Sequence, residues 1–226
     1  MCGRYTLTTP SQAIVDLFAL DPGPNLAPRY NIAPTQAVFA VRLDPSGGRE
    51  AAQLRWGLVP SWAKDPQIGN RMINARAETV REKPSFRSAF KGRRCLIAAD
   101  GFYEWQKQKP GTKGGKQPYW ITLADRGPFA FAGLWEHWTD GQGSKLETCT
   151  IVTCPANDLV APIHPRMPVI LGPQDHAQWL DPETAPDAAA SLLRPHPADA
   201  MAARAVSTHV NSPKNDDSNC IAALLV

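Results

Sequence analysis

The chain holds 226 residues, 43% of them hydrophobic and 20% charged, with 22 prolines and 16 glycines. Those proportions support one large or two small cores and exclude a collagen-like repeat and a disordered chain. The formal charge is only +3, no apolar run approaches the roughly 18 residues that a bilayer-spanning helix needs, and the first residues lack a secretion signal, so a soluble, cytoplasmic protein is expected.

In chain order, apolar and β-branched runs bounded by turn residues predict strands at residues 4–8, 37–43, 51–57, 96–105, 119–123, 129–138, 146–153 and 169–171. Helical spacing marks 11–20, where Ile14, Val15, Leu17 and Phe18 share a face and Ser11 is placed to cap. It also marks 76–90 with an interruption at Pro84, 156–160 after Pro155, 174–180 and 186–193. The glycine- and lysine-rich stretch 107–116 predicts a hairpin tip. Strands and helices do not alternate as a doubly wound sheet requires, and no repeat or low-complexity linker divides the chain. The expectation is a single α+β domain over 1–226, with a curved, barrel-like, mostly antiparallel sheet flanked by short helices.

Charge is unevenly distributed. Residues 71–94 carry eight basic and two acidic side chains, a net +6 that exceeds the total for the whole chain, while 172–226 is net −4. A polyanion would favour the central segment, although a solvated helix face gives the same pattern. Five cysteines, an odd number without any Cys-x-x-Cys, fit neither a disulfide scaffold nor a zinc knuckle. Cys149, Cys154 and His164 follow no zinc spacing, and His137, His176, His196 and His209 stand isolated, so no metal or other cofactor is expected.

Several residues could carry chemistry. Removal of Met1 would leave Cys2 with a free α-amine and a thiol on adjacent carbons. Such a 1,2-aminothiol can condense with an aldehyde through a Schiff base and close to a thiazolidine, or act as an N-terminal nucleophile on amides. A frayed terminus is the alternative for Cys2. Asn74 suits a helix N-cap, and a helix N-terminus beside Arg76 suits an anion. Glu104 lies on a predicted strand among aromatics; facing inward it would gain a raised pKa suited to proton transfer, and facing outward it would simply be solvated. Prolines fix the backbone on both sides of His164 and Arg166, which suits an acid or base held in place, or a histidine with a purely structural role. Trp62, in a proline-bounded loop with cations, could stack on unpaired bases, whereas Trp56 better suits the core.

Six blocks in order, Met1-Cys2-Gly3-Arg4-Tyr5, Arg29-Tyr30-Asn31-Ile32-Ala33-Pro34, Trp56-Gly57-Leu58-Val59-Pro60-Ser61-Trp62, Ile73-Asn74-Ala75-Arg76-Ala77-Glu78-Thr79, Asp100-Gly101-Phe102-Tyr103-Glu104-Trp105 and Ile163-His164-Pro165-Arg166-Met167-Pro168, resemble the SOS response-associated peptidase family. With residues 206–211, the match spans 2–211. The resemblance implies a barrel-like single domain with a positively charged channel for single-stranded DNA. It also implies a processed Cys2 that crosslinks to the ring-opened sugar of an abasic site as a thiazolidine. By the same resemblance, Asn74 would orient the terminal cysteine, Glu104 would shuttle protons and His164 would assist ring opening, closure or reversal. Arg4, Arg76 and Arg166 would hold flanking phosphates, Asn31, Pro34 and Trp62 would lie near displaced strand or bases, and 206–211 would complete the pocket floor. Some members carry a second tryptophan where this chain has Ala63. The expected protein is a monomer that meets damaged DNA in the nucleoid and has no membrane partner. Weak abasic-site lyase activity, an autoprocessing peptidase and a noncovalent single-strand binder are the other functions these residues allow.

Overall fold

A computed structural model describes residues 2–21, 23–107 and 115–224 of the chain. In order, the strands and helices are β1 (Tyr5–Leu7), α1 (Ser11–Phe18), β2 (Arg29–Ile32), β3 (Ala37–Leu43), β4 (Arg49–Trp56), β5 (Asn74–Arg76), α2 (Arg87–Gly92), β6 (Arg94–Ala99) and β7 (Gly101–Lys107). There follow β8 (Lys116–Leu123), β9 (Phe129–Thr139), β10 (Lys145–Pro155), β11 (Arg166–Pro168), β12 (Ile170–Leu171), α3 (Pro173–Leu180), α4 (Pro186–Ser191) and β13 (Met201–Ala205). No helix among the described residues is long and apolar enough to cross a membrane.

Five strands close on themselves in the order β10-β4-β3-β6-β9 and back to β10, which removes the free edges that an open sheet would expose. Only the β10–β4 pair of this ring is parallel, with Cys149 opposite Trp56. Every residue of β6 is buried. The long strand β10 serves as a spine: beyond the ring it pairs in parallel with β5 and antiparallel with β11. A second, wholly antiparallel sheet runs β13-β8-β7-β1-β2. Aromatic edges join the two sheets, with the Tyr5 ring 5.4 Å from Trp56 and 5.6 Å from Phe131, and Phe102 6.2 Å from Phe131.

The run predicted as one strand over 96–105 is two strands in two sheets, broken at Asp100. The physical reason is the Asp100 carboxylate. It accepts hydrogen bonds from the hydroxyls of Thr6, Thr8 and Thr9 and from the backbone N–H groups of Thr8 and Thr9. Gly101 follows because a Cβ there would come within 2.3 Å of the Trp120 indole nitrogen, which donates to Thr6 Oγ1. Asp100 thus fixes the start of the chain against the seam between the sheets.

The expected helix over 76–90 is also corrected: Asn74–Arg76 is strand β5, turns follow, and only Arg87–Gly92 is helical. Hydrogen bonding to β10 overrides the helical spacing, and Pro84 excludes a helix through the turn. No helix N-terminus therefore stands beside Asn74. Residues 156–160 lie in turns, and the tie of Ser11 Oγ is to the Leu26 N–H, so it caps nothing in α1. The short strands β2, β5, β11 and β13 give no periodic signal of their own; pairing with longer neighbours defines them. Lys107 and Lys116 face each other across the expected hairpin, whose tip at 108–114 lies outside the described residues.

Replacing Asp100 with alanine leaves two backbone donors and three hydroxyls short of their acceptor. The expected loss is about 3 kcal/mol of unfolding free energy, read from urea denaturation. A loss no larger than that of an exposed Asp→Ala control contradicts the anchoring role.

Candidate active site

The register of β1 on β7 places the first residues beside Glu104. Tyr5 lies opposite Phe102, and the Tyr103 N–H donates to the Arg4 carbonyl at 3.0 Å. Phe102 and Glu104 share one face of β7 by strand alternation, and Phe102 packs on the core ring of Phe131. Glu104 accordingly faces inward and is only 3% exposed. Cys2 is fully buried in the same core, so the frayed-terminus alternative fails. Its thiol hydrogen bond, at 3.8 Å, goes to the Arg4 carbonyl.

Burial dominates the electrostatics here. It pushes the Cys2 thiol well above its ordinary pKa, and the nearby Glu104 carboxylate pushes in the same direction. Burial likewise raises the Glu104 carboxyl, against the opposing pull of His164. His164 Nδ1 lies 3.8 Å from Glu104 Oε1. The imidazole is held at the same nitrogen by the Arg166 N–H, 3.1 Å away. The loop carrying it is tied to β7 by Gln106, which donates to the Pro162 carbonyl at 3.0 Å. Cys2, Glu104 and His164 therefore form one group of a thiol, a carboxyl and an imidazole.

Asn74 reaches this group indirectly. Its Nδ2 donates to the Ile73 carbonyl at 2.9 Å, which also accepts from the Trp56 indole, and Trp56 packs against Tyr5. Asn74 Oδ1 is buried and has no hydrogen-bond partner among the described residues, an unmet acceptor that calls for a donor.

The basic residues divide by what they touch. Arg4 donates to Asn31 Oδ1 at 2.9 Å and to the carbonyls of Val210 and Asn211. Asn31 is fully buried and spends its amide on the carbonyls of Val210, Ser212 and Asn215. Arg76 and Arg166 flank the same residue of β10: Arg76 pairs with Thr153, while Arg166 donates to the Thr153 carbonyl at 2.7 Å. Arg76 is exposed, whereas Arg166 forks onto Glu78 at 2.8 and 3.0 Å, a contact that lowers the Glu78 pKa. Glu78 as the partner of Arg166 escaped the sequence reading because the two are 88 residues apart; only its place within the 73–79 block marked it.

Trp62 is 59% exposed on the loop after β4, and Trp56 is fully buried, as their sequence contexts suggested. That loop is rigidly seated: Gly57 has φ +125°, and a Cβ there would lie 2.6 Å from the Gly69 carbonyl oxygen. Ala63 is buried and its carbonyl accepts from the Trp138 indole. Pro34 is half-buried in the turn after β2. Of the basic run at 71–94, Arg71, Arg76, Arg81, Lys83, Arg87 and Lys91 are exposed, while Arg93 pairs with the buried Glu136 and Arg94 is buried among backbone carbonyls. An open cleft of about 840 Å³ around Arg42, Trp135 and Asp181 contains no member of the Cys2 group.

A closed barrel buries the thiol of the second residue close to a carboxyl that itself lies 3.8 Å from an imidazole. The family model of the SOS response associated peptidases (SRAP) matches residues 1–213, and the chain belongs to that family. It is 48% identical over 225 residues to the abasic site processing protein YoqW of Bacillus subtilis, covering 98% of this chain and 99% of that one. It is 35% identical over 204 residues to the abasic site processing protein HMCES of Xenopus tropicalis, covering 80% of this chain and 59% of that one. A crystal structure of a protein from Bacteroides thetaiotaomicron superposes with a TM-score of 0.86 at 26% identity, over 99% of this chain and all of that one.

The raised Glu104 pKa has a signed consequence for stability. The fold favours the protonated carboxyl, so its contribution is complete below the ordinary carboxylate range and is lost as pH rises through the raised value. Glu104→Gln, which keeps a neutral side chain at every pH, is expected to gain stability relative to the parent between mildly acidic and neutral pH. Parallel profiles of urea midpoint against pH for the two proteins would contradict this.

Proposed function

We propose that this protein captures abasic sites in single-stranded DNA covalently, through Cys2 after removal of Met1. The observation that carries the proposal is the burial of the Cys2 thiol within the field of Glu104, itself 3.8 Å from His164. The abasic processing relatives, matched from end to end in the case of YoqW, support the substrate class.

An abasic sugar in its open form presents an aldehyde. The Cys2 α-amine adds to it, giving a carbinolamine, and departure of the hydroxyl as water with one transferred proton gives the imine. Glu104 is the proton carrier: burial raises its pKa and favours its protonated form, and the His164 imidazole lies 3.8 Å away. The unmet acceptor of Asn74 suits a role in orienting the amine. The thiol then adds to the imine carbon, its proton passes to nitrogen, and the five-membered thiazolidine closes. A thiol with a raised pKa stays protonated and quiet until the neighbouring protonated imine, a cation, favours its ionisation. Without ring closure, the imine permits elimination of the 3′ phosphate, which would give a weak lyase activity. Exposed Arg76 and Trp62 provide a phosphate contact and a stacking face, neither of which reads base identity.

Mass spectrometry after mixing with abasic single-stranded DNA tests this directly. The expected species starts at Cys2 and carries the DNA mass less one water; Cys2→Ala forms none. Cys2→Ser retains the amine and should give only an imine that borohydride traps. Processed protein that forms no adduct would overturn the proposal and leave the peptidase or noncovalent reading. Glu104→Gln is expected to slow adduct formation by about a hundredfold or more, and adduct yield at low DNA concentration should fall steeply with salt.

A further inference from the structure

Away from the Cys2 group, the segment 207–221 folds onto the edge of the second sheet. Asp216 pairs with Arg29 at 2.6 Å and accepts the N–H groups of Tyr30 and Asn31. Two short 3-10 turns, Thr208–Asn211 and Ser218–Ile221, are thereby brought side by side. His209, Asp217 and Cys220 meet where they touch, and one ligand atom from each lies within 4.8 Å of the other two. His209 Nε2 is 3.1 Å from Asp217 Oδ2, and Asn215 Nδ2 is 3.2 Å from Nδ1, so the imidazole is gripped on both sides. Asp217 Oδ1 caps the Asn219 N–H, which orients the carboxylate and leaves Oδ2 toward the histidine. Cys220 is buried, with its Sγ 3.3 Å from the Asn215 carbonyl.

We propose that His209, Asp217 and Cys220 bind one divalent transition-metal ion of the zinc class. Imidazole, carboxylate and thiolate together suit a borderline-soft ion and not magnesium or calcium. Zinc bonds of about 2.0–2.3 Å in a tetrahedron put ligand atoms roughly 3.3–3.8 Å apart, so closing the site needs movements of about 1 Å, with water as the fourth ligand. On binding, the Cys220 S–H bond breaks and a sulfur–metal bond forms; the thiol proton leaves to solvent and no redox change occurs. The charges of thiolate and carboxylate together balance the ion. Burial raises the Cys220 thiol, and the charges of Asp217 and Asp216 push the same way against Arg4, so the positive charge of the ion itself is what favours the thiolate. The consequence reaches the active site: the ion would clamp together the two turns, one of which supplies the Val210 and Asn211 carbonyls that hold Arg4. His209 stands isolated in the sequence; the clasp made by Asp216 brings Asp217 and Cys220 to it.

Cobalt(II) chloride added to the full-length protein in a phosphine reductant is the probe. The parent and Cys2→Ala proteins are expected to show a thiolate-to-cobalt charge-transfer band in the near ultraviolet, saturating at one equivalent and bleached by zinc. Cys220→Ser should abolish that band. His209→Asn and Asp217→Asn, at half-buried and exposed positions, should retain the fold by circular dichroism and weaken binding by about tenfold or more. Zinc should raise the melting temperature of the parent but not of Asp217→Asn. No band in the parent, a band that survives Cys220→Ser, or one that disappears in Cys2→Ala overturns the proposal. So does undiminished binding in both His209→Asn and Asp217→Asn.

Discussion

The carboxylate of Asp100 is the constraint on which the rest of the molecule depends. It sits where the chain leaves the closed barrel at β6 and enters the second sheet at β7, and it gathers Thr6, Thr8 and Thr9 around itself. Chain starts are ordinarily loose. Here five hydrogen bonds to one side chain, the pairing of β1 with β7 and the Tyr5 ring wedged between Trp56 and Phe131 bury residue 2 as deeply as any core position. This restraint holds the first residues in one register against β7.

The same burial sets the chemistry. One low-dielectric site raises both the thiol and the carboxyl, so burial favours the protonated form of each. A thiol held in that state is protected from oxidation and from casual electrophiles, since the thiolate is the nucleophile. Glu104 and His164 are drawn together from β7 and from a proline-bounded loop.

Strand β10 gives the site its surroundings. By pairing with β9, β4, β5 and β11, it brings Arg76 and Arg166 to either side of Thr153. The two guanidinium groups differ in what they are free to do: Arg166 is forked onto Glu78 and stiffens the loop that carries His164, while Arg76 points to solvent. Arg4 is similarly occupied, linking the chain start through Asn31 to the turns at 207–221.

Sequence alone determined the elements whose own residues specify them. The long apolar strands β3, β9 and β10, the amphipathic α1, the buried Trp56 and exposed Trp62, and the α+β class all follow from local pattern, because apolar runs and the turn residues that bound them are written residue by residue. Cys2, Glu104 and His164 were legible as chemical types within distinctive blocks. Their assembly was not, since whether Glu104 faces inward depends on which sheet β7 joins. The break at Asp100, the strand character of Asn74–Arg76 and the meeting of Arg166 with Glu78 or His209 with Cys220 were decided by tertiary structure. Each rests on a partner distant in sequence or on a turn that only packing defines, and hydrogen bonds to such partners outweigh the few tenths of a kcal/mol per residue by which local propensity prefers helix or strand.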